Sequence, residues 1–347
     1  MNWDETYDIV VVGSGAAGFA AALTGQLQGL STFIIEKEAR IGGASALSGG
    51  GVWIPNNHYL QEAGVKDTYE NAKTYMDATI GDRVPEILKE TYLKRGPEML
   101  RFFHDNTKHM RFKYATNYSD YYAHLPGGKP TGRSIEPEII DMRLLKEWEG
   151  LILEPTISTK GFTMTGQEFH KVNMIMRTIK GKATSLKLGT RMIKSKLTGA
   201  RYASLGRALM ARMALSYKKA GGKFRVNAAF KDFIVENNRV IGVLIESNGK
   251  QLRLKANRGV ILGAGGFSQN QEKRQQYLPQ PTNKEWTSSP AGQTGDIIEP
   301  CKKLGAKFDL MEHVWGAPSV LDHHNKPFFL VADRAIPSMI IVDQNGN

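Results

Sequence analysis

The sequence predicts an α/β fold, and three features at its start predict it. An apolar strand, Asp8 to Val12, runs straight into a tight glycine turn, Gly13 to Gly18. A helix rich in Ala and Leu, Phe19 to Gln28, follows at once. A second apolar strand, Ser31 to Ile35, then begins too soon after the first for anything but a parallel crossover. Strand, glycine turn, helix and strand in that order make a Rossmann-like βαβ unit.

The remaining elements follow in chain order. Ile41 to Val52 is a glycine-rich stretch. Asp67 with Glu70 reads as a capping box for a helix reaching toward Ile80. Val84 to His104 has helical periodicity, with a break expected near Gly96 and Pro97. Between Tyr114 and Pro137 the composition turns to Tyr, Gly and Pro, which is loop chemistry. A helix covers at least Leu205 to Lys219. Phe224 to Val226, Phe230 to Glu236, Val240 to Ser247 and Gln251 to Lys255 form a β-meander turning at Asn237-Asn238 and Asn248-Gly249, and Gly259 to Leu262 is a further apolar strand. Neither an internal repeat nor a low-complexity tract is present.

Composition narrows the function classes. With 347 residues, 41% of them hydrophobic, the chain can bury a substantial core, and its length suggests about two domains. A single cysteine, Cys301, in an expected helix between Ile297 and Leu304, forbids an intramolecular disulfide and fits a reducing compartment. Met1 to Tyr7, carrying Asp4 and Glu5, does not read as a secretion signal, and no uncharged apolar run of about 18 residues offers a membrane span. The expected location is cytoplasmic. The net charge of +12 is one patch: His170 to Lys223 holds 14 Lys and Arg and no acid, leaving −2 for the rest. A solvated helical face is one reading of that patch. Peripheral contact with anionic lipid at the inner membrane face is the other, since Lys and Arg interleave with Met, Ile and Leu from Met174 to Met213. Nucleic acid is not expected, because no binding motif accompanies the charge.

The chemistry sits first in the glycine turn. Gly13, Gly15 and Gly18 supply a tight turn, close approach of backbone to a pyrophosphate, and close helix–strand packing. Ala16 and Ala17, in the turn leading into the helix, belong to the expected set, and the helix N-terminus offers free N–H groups and a positive dipole end to phosphate. Glu36 closes the second strand 18 residues after Gly18, where an acid accepts ribose hydroxyls. Lys37 and a second glycine pair, Gly42-Gly43, come soon after that acid, favouring FAD over NAD. Gly263-Ala264-Gly265-Gly266-Phe267 follows a late strand, and Thr294-Gly295-Asp296 precedes a helix where the Gly295 N–H and Asp296 carboxylate would face the isoalloxazine or ribityl chain. Ser48, Gly49, Gly50 and Ala229 complete the expected cofactor-binding set.

Together these motifs resemble the fumarate reductase and succinate dehydrogenase flavoprotein superfamily. Tyr118-Ser119-Asp120-Tyr121-Tyr122, Pro126-Gly127-Gly128, Gly132 to Pro137, Val314 to Pro318 and Arg334 to Asp343 are similar, more narrowly, to its 3-ketosteroid Δ1-dehydrogenase branch. Ala123-His124 and Val314 depart from that branch, which often has Pro with an acid, and a second Trp, at those places. The resemblance implies a fumarate-reductase-type FAD domain over residues 1–315, with a helical and loop insertion at about 55–220, and the beginning of a capping domain over 316–347. It implies desaturation beside a ketone, with proton abstraction by a base, hydride transfer to FAD, and stabilisation of the enolate oxygen. Tyr121 matches the tyrosine that supports the base, and Tyr118 an aromatic wall of the steroid slot. The alternative for both is a packed loop aromatic.

The base tyrosine of that branch falls shortly beyond a segment like Ile340 to Gly346, and the enolate-binding groups later still, so the chain is expected to be C-terminally truncated. FAD is expected to be noncovalent, because Gly42 to Gly51 contains no histidine. The electron acceptor is left unknown. His323-His324 beside Asp322 reads as a solvated turn rather than a metal site, Arg133 and Glu136 as loop-fixing ion partners, and His313 as a packed or hydrogen-bonded histidine. Two other functions remain in play: reduction of an activated alkene on the same fold, and a non-catalytic FAD-binding fragment.

Overall fold

Three consecutive valines show how the sheet is built. Val11 is buried on one face with Phe19, Leu23 and Ile34, while Val10 and Val12 are buried on the other with Phe33, Ile35 and Val243. That alternation is the period-2 signature of a strand covered on both faces. The computed structural model describes residues 2–116, 118–154, 162–322, 326–330, 340, 342–343 and 345–346.

In chain order, strand β1 (Glu5–Val12), helix α1 (Ala16–Leu27) and strand β2 (Thr32–Ile35) form the βαβ unit. A short helix, α2 (Gly43–Leu47), occupies the glycine-rich stretch and leads to β3 (Val52–Trp53) and α3 (His58–Glu62). Next come α4 (Tyr69–Ile80), α5 (Glu86–Asn106), β4 (Phe112–Tyr114), β5 (Ser134–Pro137) and β6 (Ile140–Asp141). Helices α6 (Gly166–Val172) and α7 (Ile179–Thr198), strand β7 (Tyr202–Ala203) and helix α8 (Leu205–Lys219) make up the basic region. Strands β8 (Lys223–Arg225), β9 (Ala228–Glu236), β10 (Arg239–Ser247) and β11 (Lys250–Leu262) complete the main sheet. Helices α9 (Gln271–Tyr277) and α10 (Ile298–Lys303) and a hairpin, β12 (Ser319–Leu321) with β13 (Pro327–Phe329), follow.

The main sheet runs β8-β2-β1-β11-β10-β9, parallel across its first four strands and antiparallel at β10 and β9. The meander turns are as expected: Asn237, Asn238, Asn248 and Gly249 all have positive φ, as two-residue type I′ hairpins require. Two expectations are corrected. The Phe224 strand, β8, lies at the opposite edge beside β2, outside the meander. Gln251 to Lys255 and Gly259 to Leu262 are one strand, β11, whose register against β1 shifts between Tyr7 and Ile9. That irregularity absorbs one extra residue of β11, in the stretch that read as a gap.

Two helix expectations also change. Helix α5 passes Gly96 and Pro97 without ending, because Leu93 on one side and Leu100 and Phe103 on the other are buried in the core and hold both halves in line. The cap of α4 is Thr68, whose hydroxyl accepts the Asn71 N–H at 3.2 Å, rather than Asp67, which is drawn into a buried ion cluster.

The basic region is not one surface. Helix α8 is a core helix, with Gly206 and Ala208 through Tyr217 buried against α1 and the small strands. Its Arg212 is buried too and donates to the carbonyls of Glu138 at 2.7 Å and Ile139 at 3.0 Å. Met210 and Met213 are thus buried and unavailable to lipid, whereas Ile175, Met176 and the outer face of α7 are exposed. No helix among the described residues is long and apolar enough to cross a membrane.

Candidate cofactor and substrate site

The glycine turn is closed by the protein at two of its three glycines. Gly13 has φ +98°, and a Cβ there would lie 2.4 Å from the Gly263 carbonyl oxygen; one on Gly18 would lie 1.9 Å from that of Gly13. Gly15 is different, since a Cβ there would meet only Ser45 Oγ, at 3.7 Å. Its glycine is not demanded by protein packing and leaves room for a group approaching from outside. Helix α1 starts at this point with no cap from its own N-cap residue, Gly15, and no acid in its first turn. Ala16 N–H donates to Ser45 Oγ at 3.1 Å, and Ala17 is half-buried in the same turn. A Cβ added to Gly43, Gly49 or Gly266 would likewise meet no protein atom closer than 3.7 Å. Open glycines, Gly15 and Gly43, at the N-terminus of α1 leave room that fits a pyrophosphate.

Glu36 is held ready at the end of β2. Its Oε2 accepts the Ser14 N–H at 3.1 Å and hydroxyl at 2.5 Å, and its Oε1 accepts the Glu38 N–H at 3.0 Å. A carboxylate has about four acceptor sites, so it retains capacity for a ribose hydroxyl. Ser14, which lies outside the expected set, also accepts the Gly42 N–H at 3.1 Å and so joins the first turn to the second glycine pair. The sequence signal for Ser14 and Ser45 is their position inside or beside glycine turns, and it is weak. Ala229 lies one residue past Ala228, whose N–H donates to the Glu36 carbonyl at 2.9 Å.

Other expected cofactor residues are engaged by protein. Lys37 Nζ donates to Thr294 Oγ1 at 2.5 Å and to Asp296 Oδ2 at 2.6 Å, so two side chains assigned separately to the cofactor hold each other. Burial disfavours the Asp296 carboxylate, but the Lys37 and Thr294 hydrogen bonds outweigh this and keep its pKa below the usual range. Gly295 packs inward, where a Cβ would meet Phe267 Cβ at 2.8 Å, and Gly265 lies against Gln293. Gly50 seats the start of α8, and Ser48 receives the Gly206 N–H on its carbonyl at 2.9 Å.

The tyrosine segment is the connection between β4 and β5 in a small sheet of order β3-β5-β4. Tyr118 and Tyr121 have ring centroids 6.5 Å apart, and Tyr121 lies 6.0 Å from Trp315. All three rings are exposed, Trp315 by 86%, which presents an aromatic surface suited to an apolar ligand. Beneath them Arg133 is fully buried. It donates from Nε to Asp67 Oδ1 at 3.0 Å, from Nη1 to Asp120 Oδ2, and from Nη2 to the Gly127 carbonyl at 2.7 Å. Trp53 Nε1 and the Lys129 N–H complete the Asp120 shell at 2.8 and 3.0 Å. Arg133 thus fixes the loop on both sides of Tyr121, in the role expected for it. Glu136 does the same for α6, accepting the Gly166 N–H at 3.0 Å with Lys113 3.6 Å away. His313 is exposed 3.4 Å from Glu312. His323, His324 and most of Arg334 to Asp343 lie outside the described residues. Among the described residues no group of three or more candidate metal ligands occurs.

Comparison with known proteins agrees with this geometry. The chain is 42% identical to a 3-oxosteroid 1-dehydrogenase of Mycolicibacterium smegmatis, covering 99% of this chain and 61% of the relative. It is 41% identical to a 3-oxosteroid 1-dehydrogenase of Mycobacterium tuberculosis, covering 99% and 62%. The crystal structure of 3-ketosteroid Δ1-dehydrogenase from Sterolibacterium denitrificans in complex with 1,4-androstadiene-3,17-dione matches with a TM-score of 0.83 and 36% identity, over 91% of this chain and 58% of that one. The chain therefore spans about three fifths of the length of the curated relatives it matches. The α/β architecture and FAD as cofactor agree with the sequence reading. Because the FAD binding domain family matches residues 8–347, nearly the whole length, the chain belongs to that family.

Proposed function

We propose that the protein carrying this chain is an FAD-dependent 3-oxosteroid 1-dehydrogenase. The observation that carries the proposal is the 42% identity to a relative of that name over 99% of the chain. The groove along Gly15, Gly43 and Glu36 holds FAD, with the α1 N-terminus on the pyrophosphate and the Glu36 carboxylate on the ribose. Bound there, FAD supplies the hydride acceptor for desaturation beside a ketone. Tyr118, Tyr121 and Trp315 provide the apolar wall against which a flat ring system packs, and Arg133 keeps that wall in place. The Tyr121 hydroxyl is the positioned group that supports proton removal.

An apolar steroid partitions into bilayers, and the exposed basic helix α7 is the face that meets an anionic membrane surface. The test of the activity is anaerobic mixing of the full-length holoprotein with a 3-ketosteroid saturated at C1–C2. Loss of the yellow flavin absorbance is expected. A flavin that stays oxidised with that steroid, but is reduced by another donor, would overturn the proposal.

A further inference from the structure

Helix α4 supports the aromatic wall at two places. Midway along it, the Tyr75 hydroxyl accepts the Tyr122 N–H at 3.2 Å, and the Arg133 guanidinium lies over the Tyr75 ring, 5.4 Å from its centroid. Those contacts fix the loop carrying Tyr121. At the C-terminal end Gly81, with φ +63°, turns the chain through Arg83 into α5. The turn is pinned by a ring of alternating charge. Lys89 Nζ bonds Asp77 at 2.6 Å and Glu86 at 2.7 Å, and Lys73 Nζ bonds the second oxygen of each, both at 2.7 Å. Lys89 is buried and also donates to the Gly81 carbonyl at 3.1 Å. Arg83 is therefore presented on a fixed support.

The segment that Arg83 meets has no such support. From Ala306 to Pro318 there is neither helix nor strand, and every residue except Leu310 and Met311 is exposed. Burial does not hold it. Arg83 grips Asp309 with both amino groups, Nη2 to Oδ1 at 3.2 Å and Nη1 to Oδ2 at 3.4 Å, and Nη2 also reaches Glu312 Oε1 at 3.4 Å. A forked guanidinium on a carboxylate fixes direction as well as distance. Leu310, between the two acids, has φ +57°, a bend that lets both reach one guanidinium. Three residues past Glu312, Trp315 comes to 6.0 Å from Tyr121. Among the described residues no other ion pair ties 306–318 to the rest of the chain.

We infer that Arg83 is a positioning residue: by gripping Asp309 and Glu312 it seats Trp315 against Tyr121 and so completes the apolar wall. This rests on the reading of that wall as the ketone site, but the seating can be measured apart from it. The experiment uses the full-length holoprotein labelled with fluorotryptophan, the Trp315 fluorine resonance being assigned by its loss in Trp315→Phe. Arg83→Gln should move that resonance. Because both ion pairs are exposed, about 0.5 M salt should move the parent's resonance in the same direction and leave the variant's in place. Arg83→Glu combined with Asp309→Arg should return it toward the parental position. In flavin reduction by a 3-ketosteroid, Arg83→Gln should raise KM about five-fold with kcat changed less than about two-fold, and the charge exchange should recover KM.

A Trp315 resonance that Arg83→Gln leaves in place would overturn the inference, whatever the activity. Movement that the charge exchange does not reverse would overturn it too, since charge would not be the cause. A moved resonance with an unchanged KM would break the link from the seat to the substrate. A parental holoprotein whose flavin no 3-ketosteroid reduces would overturn the proposed function instead, and the resonance would still decide whether Arg83 seats Trp315.

Discussion

The turn Gly13–Gly18 and the loop Tyr118–Arg133 are both glycine-rich connections leading out of a strand, yet they are held by opposite means. In the first, main chain packs on main chain: Gly13 against Gly263, and Gly18 against Gly13. Gly15 alone is left open, at the N-terminal end of α1. In the second, every glycine is closed. A Cβ on Gly127 would lie 2.5 Å from the Asn71 carbonyl oxygen, on Gly128 2.7 Å from that of Ala123, and on Gly132 closer still to that of Tyr118. The fixing charges there come from a distance, Asp67 reaching Arg133 from 66 residues away. One region is rigid because its backbone has nowhere to go. The other is rigid because its own buried cation, Arg133, ties Asp120 within the loop to Asp67 outside it, and its exposed surface is aromatic.

The largest effect should come from Gly18→Ala. Backbone atoms cannot retreat from a Cβ 1.9 Å away, so a loss above about 3 kcal/mol is expected, read as a fall in melting temperature and in flavin retained on purification. Gly15→Ala should leave the melting of flavin-free protein within about 0.5 kcal/mol of the parent while weakening FAD binding. Equal destabilisation by the two alanines would erase the distinction between closed and open glycines.

Arg133→Met strands two buried carboxylates and should cost about 3–5 kcal/mol in denaturant unfolding. Adding Asp67→Asn and Asp120→Asn should recover part of that loss. A recovery of nothing would show that the loop is not held by charge. Within the turn, Glu36→Ala should weaken FAD binding by about 1–3 kcal/mol through loss of charged hydrogen bonds, measured by titration of flavin fluorescence.

A smaller, pH-dependent effect lies outside both regions, at the joint of α6 and α7. Glu168 is desolvated, but the Arg191, Thr165 and Lys187 hydrogen bonds outweigh this and lower its pKa from 4.5 to about 2. A depressed carboxylate stabilises the fold above its unfolded pKa and loses that contribution as pH falls through the folded value. The melting-temperature gap between the parent and Glu168→Gln should therefore be full above about pH 4.5 and close toward pH 2. A gap that does not change with pH would detach Glu168 from the joint.

The same contrast between local and remote support decides what is legible in the sequence. Gly13, Gly15, Gly18 and Glu36 can be read because their geometry is local: a strand, a turn, a helix and the end of the next strand. The hairpins at Asn237 and Asn248 are readable for the same reason. Asp67 reads as a helix cap because its true partner, Arg133, is remote, and nothing nearby distinguishes a capping acid from a buried one. Pro97 reads as a break because its local cost is visible, whereas the burial of Leu93, Leu100 and Phe103 that overrides it is tertiary. Lys37 and Asp296 each read as cofactor ligands, and their pairing spans 259 residues. The basic charge of the 170–223 region is plain in the composition, but only the burial of α8 and the exposure of α7 divide it.

The proposed function assigns cofactor binding to the glycine turn and work on the ketone to the tyrosine loop, and Tyr121→Phe separates the two in one experiment. Parent and variant full-length holoproteins are mixed anaerobically with the same 3-ketosteroid, and flavin absorbance is followed from the first reading onward. Equal starting absorbance is expected, with flavin reduction slowed about 10- to 100-fold by the loss of one hydrogen bond to a charged group. Reduction at the parental rate, or a variant that arrives without its flavin, would contradict this division of labour.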